Sequence, residues 1–285
     1  MSDQVIAAVI ALVAAFVYVS GLALQQQGNL RAIAAGHRRT VDVVRQPVWW
    51  LGVGVMCLGF VVHGFSLTIG SLTVVQPVQV AQIAFAVVLD AWIRKARISR
   101  SDLEGAGLVV LGLAAFMLAT RPTAGTDFAS DGSWEWIFLA GLVICSALSV
   151  AAWAYPAGRA VLLGTTAGVI WGIQGALLKE TSELFERGIG DAMTSWPTYA
   201  TALLGLFGLI AQNSALRAGR LAVAAALITV TNPVVSSIIG VTAFSEDLRT
   251  GSGYTAAAAA AAVAVVLGVA LLARRQAALE STAPT

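Results

Sequence analysis

The stretch Thr73-Val-Val-Gln-Pro-Val78 has a counterpart in Thr229-Val-Thr-Asn-Pro-Val234, at an offset of 156 residues. The same offset, without a gap, pairs Val109-Val-Leu-Gly112 with Val265-Val-Leu-Gly268. Chance similarity between apolar helices would not be expected to keep one offset through both a proline motif and a glycine motif. The sequence therefore predicts an internal repeat built from apolar helices.

Nine apolar segments, each about as long as a bilayer-spanning helix, account for most of the chain. The 285 residues are 58% hydrophobic and 11% charged, with a mean hydropathy of +0.82. Soluble domains have about 25% charged residues, so the composition excludes a soluble globular enzyme, a nucleic-acid-binding protein and a disordered chain. The predicted membrane spans are 4–24, 48–69, 72–93, 105–120, 136–155, 160–178, 197–216, 221–244 and 254–273.

The distribution of basic residues predicts the orientation. Nine spans place 13 of the 17 Lys and Arg residues on one face of the membrane and 4 on the other. Because cytoplasmic loops are enriched in Lys and Arg, the N-terminus is predicted outside and the C-terminus inside. Only 2 of these residues are Lys. Such a bias towards Arg is typical of high-GC bacterial genomes and favours the cytoplasmic membrane of a bacterium.

The repeat divides the chain into three parts. Residues 1–121 form a first set of four spans, residues 122–158 contain a connecting fifth span, and residues 159–285 form a second set of four spans with a short cytoplasmic tail. An odd offset in span number predicts that the two sets cross the membrane in opposite directions. The predicted fold is an all-α membrane protein with nine transmembrane helices in an inverted 4+1+4 repeat. Such repeats are typical of secondary transporters, which bind substrate near the membrane midplane.

Polar side chains at membrane depth are candidate site residues, because their burial is costly unless they face a partner or a wet cavity. Gln76, Gln79 and Gln82 recur every three residues and form a stripe on the third span. Pro77 and Pro233 each remove a helix hydrogen bond and so free a carbonyl group. The alternative is that the amides only hold helices together. The predicted substrate-binding residues are His63, Gln76, Gln79, Gln82, Trp171, Gln174, Thr229 and Asn232.

Two members of this set carry additional hypotheses. His63 is the one ionisable side chain well inside a predicted span, and histidine titrates near neutral pH, so it is a candidate for proton coupling. The alternative is a neutral histidine that hydrogen-bonds a neighbouring helix. Trp171 lies mid-span, one turn from Gln174, which suits a stacking surface beside a hydrogen-bonding group. A tryptophan that merely fills the core is the alternative.

Two further predictions concern a pair of carboxylates and a series of glycines. Asp90 and Glu246 occupy matching positions of the repeat, near opposite ends of the third and eighth spans. They are candidate gates that would pair with nearby Arg residues, the alternative being ordinary interfacial placement. Gly164, Gly168 and Gly172 recur every four residues, which predicts close helix packing.

Several short segments carry a family resemblance over nearly the whole chain. They are Gln25-Gln26-Gln27-Gly28, Pro47 with Trp49-Trp50 and Gly52, Val74-Val75-Gln76-Pro77, Asn232-Pro233, Phe244-Ser245-Glu246 and Gly268. With these segments the chain resembles the drug/metabolite transporter (EamA) superfamily, and within it the NIPA-like branch. The nine-span topology with an external N-terminus is similar to that branch. The resemblance implies a membrane transporter.

The NIPA-like branch is associated with Mg²⁺ transport, and the chain departs from it at two positions. Phe60 stands where the family often has an acidic residue, and Ala96 stands where a Glu is expected. Mg²⁺ prefers carboxylate and water oxygens in octahedral geometry. No carboxylate lies at mid-depth in a predicted span, so the sequence favours a different substrate.

The predicted function is that of a secondary transporter that moves a small organic solute by alternating access, because amides, hydroxyls and an indole suit a polar neutral or amphipathic solute. A divalent-cation transporter and a non-transporting lipid-binding or assembly protein are the alternatives. The sequence contains no phosphate-binding P-loop, HExxH or GxSxG motif, so no enzymatic activity, cofactor or metal site is predicted. The expected partners are the solute and the lipid bilayer, without nucleic acid.

Overall fold

Nine helices of 12 or more residues make up the described part of the chain, and no strand occurs in it. A computed structural model describes residues 3–36, 40–69, 78, 80–120, 126, 128–130, 132–246 and 251–281. The nine helices are α1 (Asp3–Ala34), α2 (Pro47–Ile69), α3 (Gln82–Ile93), α4 (Arg100–Thr120), α5 (Ser133–Ala154), α6 (Arg159–Arg187), α7 (Trp196–Ala218), α8 (Leu221–Ala243) and α9 (Ser252–Ser281). Shorter helical turns cover Thr40–Arg45, Pro156–Gly158 and Ile189–Thr194.

Eight of the helices in the described ranges are long and apolar enough to cross a membrane. Only α3, with 12 residues, is shorter than a span. This is the architecture of a polytopic α-helical membrane protein. Each predicted span overlaps one of the nine helices, although the third span is described as helix only from Gln82 onward. Gln76, Pro77 and Gln79 lie outside the described residues.

The helix ends follow the local sequence. Pro47 is the first residue of α2, a position where its missing N–H costs no helical hydrogen bond. Ser99 and Asp102 form a capping box at the start of α4. The Asp102 N–H donates to Ser99 Oγ at 3.1 Å, and the Ser99 N–H donates to Asp102 Oδ2 at 3.2 Å. These local interactions account for the position of the α3–α4 connection.

The chain folds into two compact units that do not coincide with the predicted sequence halves. Unit 1 contains Met1–Arg121, Leu216–Ala226 and Thr250–Thr285. Within it α1 packs on α2 and α3, α3 packs on α4, and α4 packs on α9. The α1–α2 contact joins two backbones, because a Cβ added to Gly52 would lie 2.7 Å from the Gly21 carbonyl oxygen. The division into repeats stays a prediction.

Positions of α4 and α9 that are 156 residues apart make matching contacts where the two helices pack together. A Cβ added to Gly112 would lie 2.9 Å from Val265 Cγ2, and one added to Gly268 would lie 2.7 Å from Val109 Cγ2. Positions 109 and 265, like 112 and 268, are separated by the repeat offset of 156. In the same way Gly105 faces Gly268 while Gly112 faces Ala261. Gly112 and Gly268 are 156 residues apart, and so are the positions that they meet: Gly112 meets Val265 and Ala261, and Gly268 meets Val109 and Gly105. This is the contact pattern that a two-fold axis produces.

Unit 2 contains Pro122–Ala215 and Leu227–Arg249. In this unit α5 packs on α6, and Trp134, Leu177 and Phe244 belong to its apolar core. Added Cβ atoms at Gly168 and Gly172 would lie 2.5 Å and 2.6 Å from Thr231 Cβ and Val235 Cβ. Helix α6 can approach α8 this closely only with glycine at these positions, as the four-residue spacing predicts.

Candidate functional site

The predicted site residues of unit 1 are placed on two helices. His63 lies in α2 and Gln82 is the first residue of α3, and both side chains are half-buried. The Ser66 hydroxyl donates to the His63 carbonyl oxygen at 2.6 Å. His63 thus lies in a helix long and apolar enough to cross a membrane, whereas Gln82 begins a shorter apolar helix. Their role in substrate binding stays a prediction.

The predicted site residues of unit 2 lie on α6 and α8, and all four are half-buried: Trp171, Gln174, Thr229 and Asn232. Ser236, one turn beyond Asn232, joins them. Its hydroxyl lies 3.0 Å from the Gly172 carbonyl oxygen and 3.3 Å from Asn232 Oδ1, and it can donate to one of them at a time. Asn232, Ser236 and the Gly172 carbonyl oxygen form a polar seam between α6 and α8.

The polar seam has free space beside Gly175. A Cβ at Gly175 would lie 3.9 Å from Asn232 Oδ1 and 3.6 Å from Ser236 Oγ, so a side chain there would meet no steric conflict. Sequence reasoning missed Ser236. Its four-residue spacing from Asn232 would have identified it, because residues four apart share one helix face.

Among the described residues, two polar groups of unit 2 lack a usual hydrogen-bond partner: a backbone carbonyl group next to Pro233 and the indole N–H of Trp171. Pro233 lies inside α8, so the Thr229 carbonyl, four residues earlier, lacks its helical donor. The Trp171 ring packs on α7, where a Cβ added to Gly208 would lie 2.9 Å from ring atom Cε2. The indole Nε1 of Trp171 is buried and has no hydrogen-bond partner among the described residues. Both groups are suited to polar contact with a bound solute.

Asp90 is the centre of a buried ionic network in unit 1. Its Oδ2 accepts from Arg220 Nε at 2.6 Å, and its Oδ1 accepts from Arg94 Nε at 3.1 Å and from the Leu221 N–H at 3.0 Å. Arg220 Nη1 also donates to Asp102 Oδ1 at 2.9 Å. We call Asp90, Asp102 and Arg220 the buried triad, since none of the three is more than 4% exposed.

The electrostatics of the buried triad keep Arg220 charged. Burial alone would lower the pKa of Arg220, but the negative charge of Asp90 and the hydrogen bonds to both carboxylates raise it above its usual value. The α7–α8 turn that carries Arg220 is also bound by Gln26, whose Nε2 donates to the Gly219 carbonyl oxygen at 2.7 Å. Asp102, Arg220 and Gln26 were all missed as site residues, because only the fold brings them together.

Glu246 forms an ion pair in unit 2. Its Oε1 lies 2.9 Å from Lys179 Nζ, and that ammonium group is 4.6 Å from the centre of the Phe244 ring. Both candidate gates were expected to pair with Arg: Asp90 pairs with Arg94 and Arg220, whereas the partner of Glu246 among the described residues is Lys179. This ion pair is also more exposed than the buried triad, with side-chain exposures of 34% for Lys179 and 19% for Glu246.

Glu180, next to Lys179, has a structural environment that the sequence did not indicate. Its Oε2 accepts from Trp134 Nε1 at 3.0 Å, and its Oε1 accepts from the Ala129 N–H. Glu180 is 4% exposed and Trp134 is 8% exposed. The carboxylate thus satisfies one donor in the segment before α5 and one in the first turn of α5. This contact and its low exposure place Trp134 in the core of unit 2.

Comparison with known proteins identifies a relative that matches over most of the chain. An uncharacterized protein of Corynebacterium glutamicum is 25% identical over 254 residues, which cover 87% of this chain and 88% of the relative. No protein-family profile matches the chain, and no solved structure matches it significantly. The similarity extends over almost the full length of both chains.

Proposed function

We propose that this protein is a secondary transporter of the drug/metabolite transporter type, similar to the NIPA-like branch, that moves a small organic solute across the cytoplasmic membrane of a bacterium. In this proposal nine helices cross the membrane with the N-terminus outside and the C-terminus inside. The first four and last four helices form an inverted repeat, and transport proceeds by alternating access.

The observation that carries the proposal is the reciprocal contact between α4 and α9. Gly112 meets Val265 while Gly268 meets Val109, and these positions are repeat mates at the offset of 156. The two helices also run antiparallel where they meet, because Gly105 faces Gly268 while Gly112 faces Ala261. Antiparallel mates are what an inverted repeat requires, and inverted repeats are a common architecture of secondary transporters.

The chemistry of the half-buried polar residues favours an organic solute. In unit 2 the Trp171 indole N–H, the Asn232 amide and the Ser236 hydroxyl offer neutral donors and acceptors. In unit 1 the carboxylates of Asp90 and Asp102 are both bound by Arg220. A bare divalent cation would have to displace this guanidinium group, whereas a neutral or amphipathic solute requires no free carboxylate.

The two candidate gates fit the same scheme. Asp90 and Glu246 are repeat mates, and each forms an ion pair with a cation on another helix or turn: Asp90 with Arg220, and Glu246 with Lys179. In an inverted repeat, mates lie towards opposite membrane faces. We infer that the two ion pairs control access to the substrate path from the two sides.

A ligand screen tests the proposal. Purified wild-type protein is heated with Mg²⁺, with other divalent cations and with a panel of small metabolites, because a ligand that binds the folded state raises apparent stability. An organic solute should raise the melting temperature of the wild-type protein, and it should have a smaller effect on Gln79→Ala and Trp171→Ala. Stabilisation by Mg²⁺ alone would overturn the assignment of an organic substrate.

Cysteine labelling tests the path itself. After Cys57 and Cys145 are replaced by Ser, single cysteines at Gln79 and Gln82 are treated with a membrane-impermeant maleimide from each side. We expect reaction at a rate that changes when the solute is added. The control is Val265→Cys, a position buried between α4 and α9 that should not react. If the two site cysteines are as inert from both sides as this control, the residues do not line a path.

A further inference from the structure

A cavity of about 610 Å³ lies in unit 1 where α3 ends beside α1. Its size is in the range of small-ligand sites. Its walls come from the end of α3, the connection that follows, and one residue of α1. They are Gln27, Val88, Ala91, Trp92, Ile93, Lys95, Ala96 and Ile98. None of the predicted substrate-binding residues that the structure describes lines this cavity, so the inference drawn from it does not depend on the proposed function.

The cavity is amphipathic. Six of the eight lining residues are apolar, and they include Trp92 and Val88, which are 69% and 52% exposed. The two polar residues are Gln27 and Lys95. An occupant of matching chemistry has an extensive apolar part and a group that accepts hydrogen bonds from an ammonium ion. A small soluble anion would leave most of the apolar wall uncovered.

Lys95 has an unusual backbone conformation. Its φ of +52° is in the left-handed region, and Ser245 is the one other non-glycine residue with positive φ among the described residues. Lys95 follows α3 at the position where glycine is the usual choice. The Ala96 N–H donates to the Ala91 carbonyl oxygen at 2.9 Å, and the Lys95 N–H donates to the Trp92 carbonyl oxygen at 3.2 Å. A lysine held at a position that favours glycine is an indication of function rather than stability.

The charge around the cavity is positive. Lys95 has no salt-bridge partner in the part of the chain that the structure describes. Arg97 in the same connection and Arg100 at the start of α4 are exposed, whereas Arg94 is bound to Asp90. The distribution of basic residues predicts that this connection faces the cytoplasm, where the leaflet carries anionic lipids that attract basic segments.

We propose that this cavity binds one anionic phospholipid from the surrounding leaflet. The lipid phosphate accepts hydrogen bonds from Lys95 Nζ, and an acyl chain lies along Trp92, Val88 and Ile98. Three features support this occupant: the exposed apolar wall, the cation at its end, and the position at the end of an apolar helix. The left-handed backbone of Lys95 is the means by which the cation is directed to the cavity.

The test uses full-length protein in lipid nanodiscs that contain phosphatidylcholine with or without phosphatidylglycerol. Melting temperature and the number of lipids retained in native mass spectrometry are measured for the wild-type protein, Lys95→Gly and Lys95→Arg. The matched control is Arg159→Gln, which removes an exposed positive charge on the same predicted face, in unit 2. A further arm adds inorganic phosphate to protein in phosphatidylcholine alone.

We expect phosphatidylglycerol to stabilise the wild-type protein, Lys95→Arg and Arg159→Gln. Lys95→Gly should bind the anionic lipid about tenfold more weakly, because a charge-assisted hydrogen bond is lost. In phosphatidylcholine the same variant should melt at the wild-type temperature or above, since glycine adopts positive φ without strain. This combination separates a binding role of Lys95 from a structural one.

Three results would overturn the proposal. The first is a wild-type response of Lys95→Gly to phosphatidylglycerol, and the second is an equal loss of response in Arg159→Gln. The third is full stabilisation by inorganic phosphate without the anionic lipid, which would assign the site to a soluble anion. If Lys95→Gly does not fold, Lys95→Gln gives the same comparison, because it removes the charge without introducing glycine into the backbone.

Discussion

Gly105 and Gly268 meet backbone against backbone where α4 crosses α9. A Cβ added to Gly105 would lie 2.9 Å from the Gly268 carbonyl oxygen, and one added to Gly268 would lie 2.6 Å from the Gly105 carbonyl oxygen. Neither helix has room for a larger residue at this crossing. Close approach through small residues is how membrane helices gain packing energy without a hydrophobic driving force between them.

The first prediction concerns this crossing. Gly105→Ala and Gly268→Ala should each lower the free energy of unfolding by about 1–3 kcal/mol, because the added methyl group meets backbone atoms that cannot rotate away. Gly107→Ala on the same helix is the control, since nothing lies within 4 Å of its added Cβ. It should be neutral or stabilise by up to about 1 kcal/mol. Thermal or denaturant unfolding in detergent measures all three, and equal effects would contradict the described packing.

The second prediction concerns the buried triad. Asp90→Asn removes the charge that pairs with Arg220, and breaking a buried ion pair from one side costs about 3–5 kcal/mol because the other charge stays buried and uncompensated. Denaturant unfolding should therefore show a large loss of stability. Glu104→Gln, an exposed carboxylate on α4, should change stability by less than about 0.5 kcal/mol.

A double-mutant cycle extends this test. Combining Asp90→Asn with Arg220→Gln should cost less than the sum of the two single substitutions, because each change removes the charge that the other leaves unpaired. Additive effects would mean that the two side chains do not interact in the folded protein.

The third prediction concerns Glu180. Glu180→Ala leaves two donors, Trp134 Nε1 and the Ala129 N–H, without their acceptor. A buried unsatisfied group costs about 1–3 kcal/mol, so we expect a fall in melting temperature. Glu186→Ala, at an exposed position of the same helix, removes a carboxylate without this consequence. If both variants have the same melting temperature, Glu180 does not stabilise the segment before α5.

The fourth prediction separates gating from stability. The Lys179–Glu246 ion pair is partly exposed, so Lys179→Gln should lower stability by no more than about 1 kcal/mol. If the pair controls access, the same variant should change the rate at which a cysteine at Gln82 is labelled. The charge-reversed double variant Lys179→Glu with Glu246→Lys should restore that rate. An unchanged labelling rate in Lys179→Gln would exclude a gating role.

The apolar pattern predicted the helices well, and their ends less well. Helix α1 runs to Ala34 although its apolar stretch ends near residue 24. The extension contains Gln25, Gln26 and Asn29, all fully or almost fully buried. Hydropathy measures how apolar a stretch of sequence is. It cannot show that a polar stretch continues as helix, which happens here because other parts of the fold accept its hydrogen bonds.

The candidate site was predictable only in part. Prolines, amides and a mid-span indole inside apolar segments are visible in a sequence, so the sequence by itself indicates Asn232, Pro233 and Trp171. Ser236 could have been identified by the same reasoning, but the buried environment of Glu180 could not. Its carboxylate is satisfied by Trp134, 46 residues earlier in the chain, and no local pattern indicates such a partner.

Composition and periodicity alone thus indicated an all-helical membrane protein, because the need to satisfy every backbone group in lipid permits few alternatives to a helix. The repeat at an offset of 156 residues stays a prediction. The tertiary structure alone established which charges are buried. Arg220 looked like an ordinary basic residue of a loop, but it lies between Asp90 and Asp102, 130 and 118 residues away. Electrostatic pairing depends on distance in space, which folding sets and sequence separation does not.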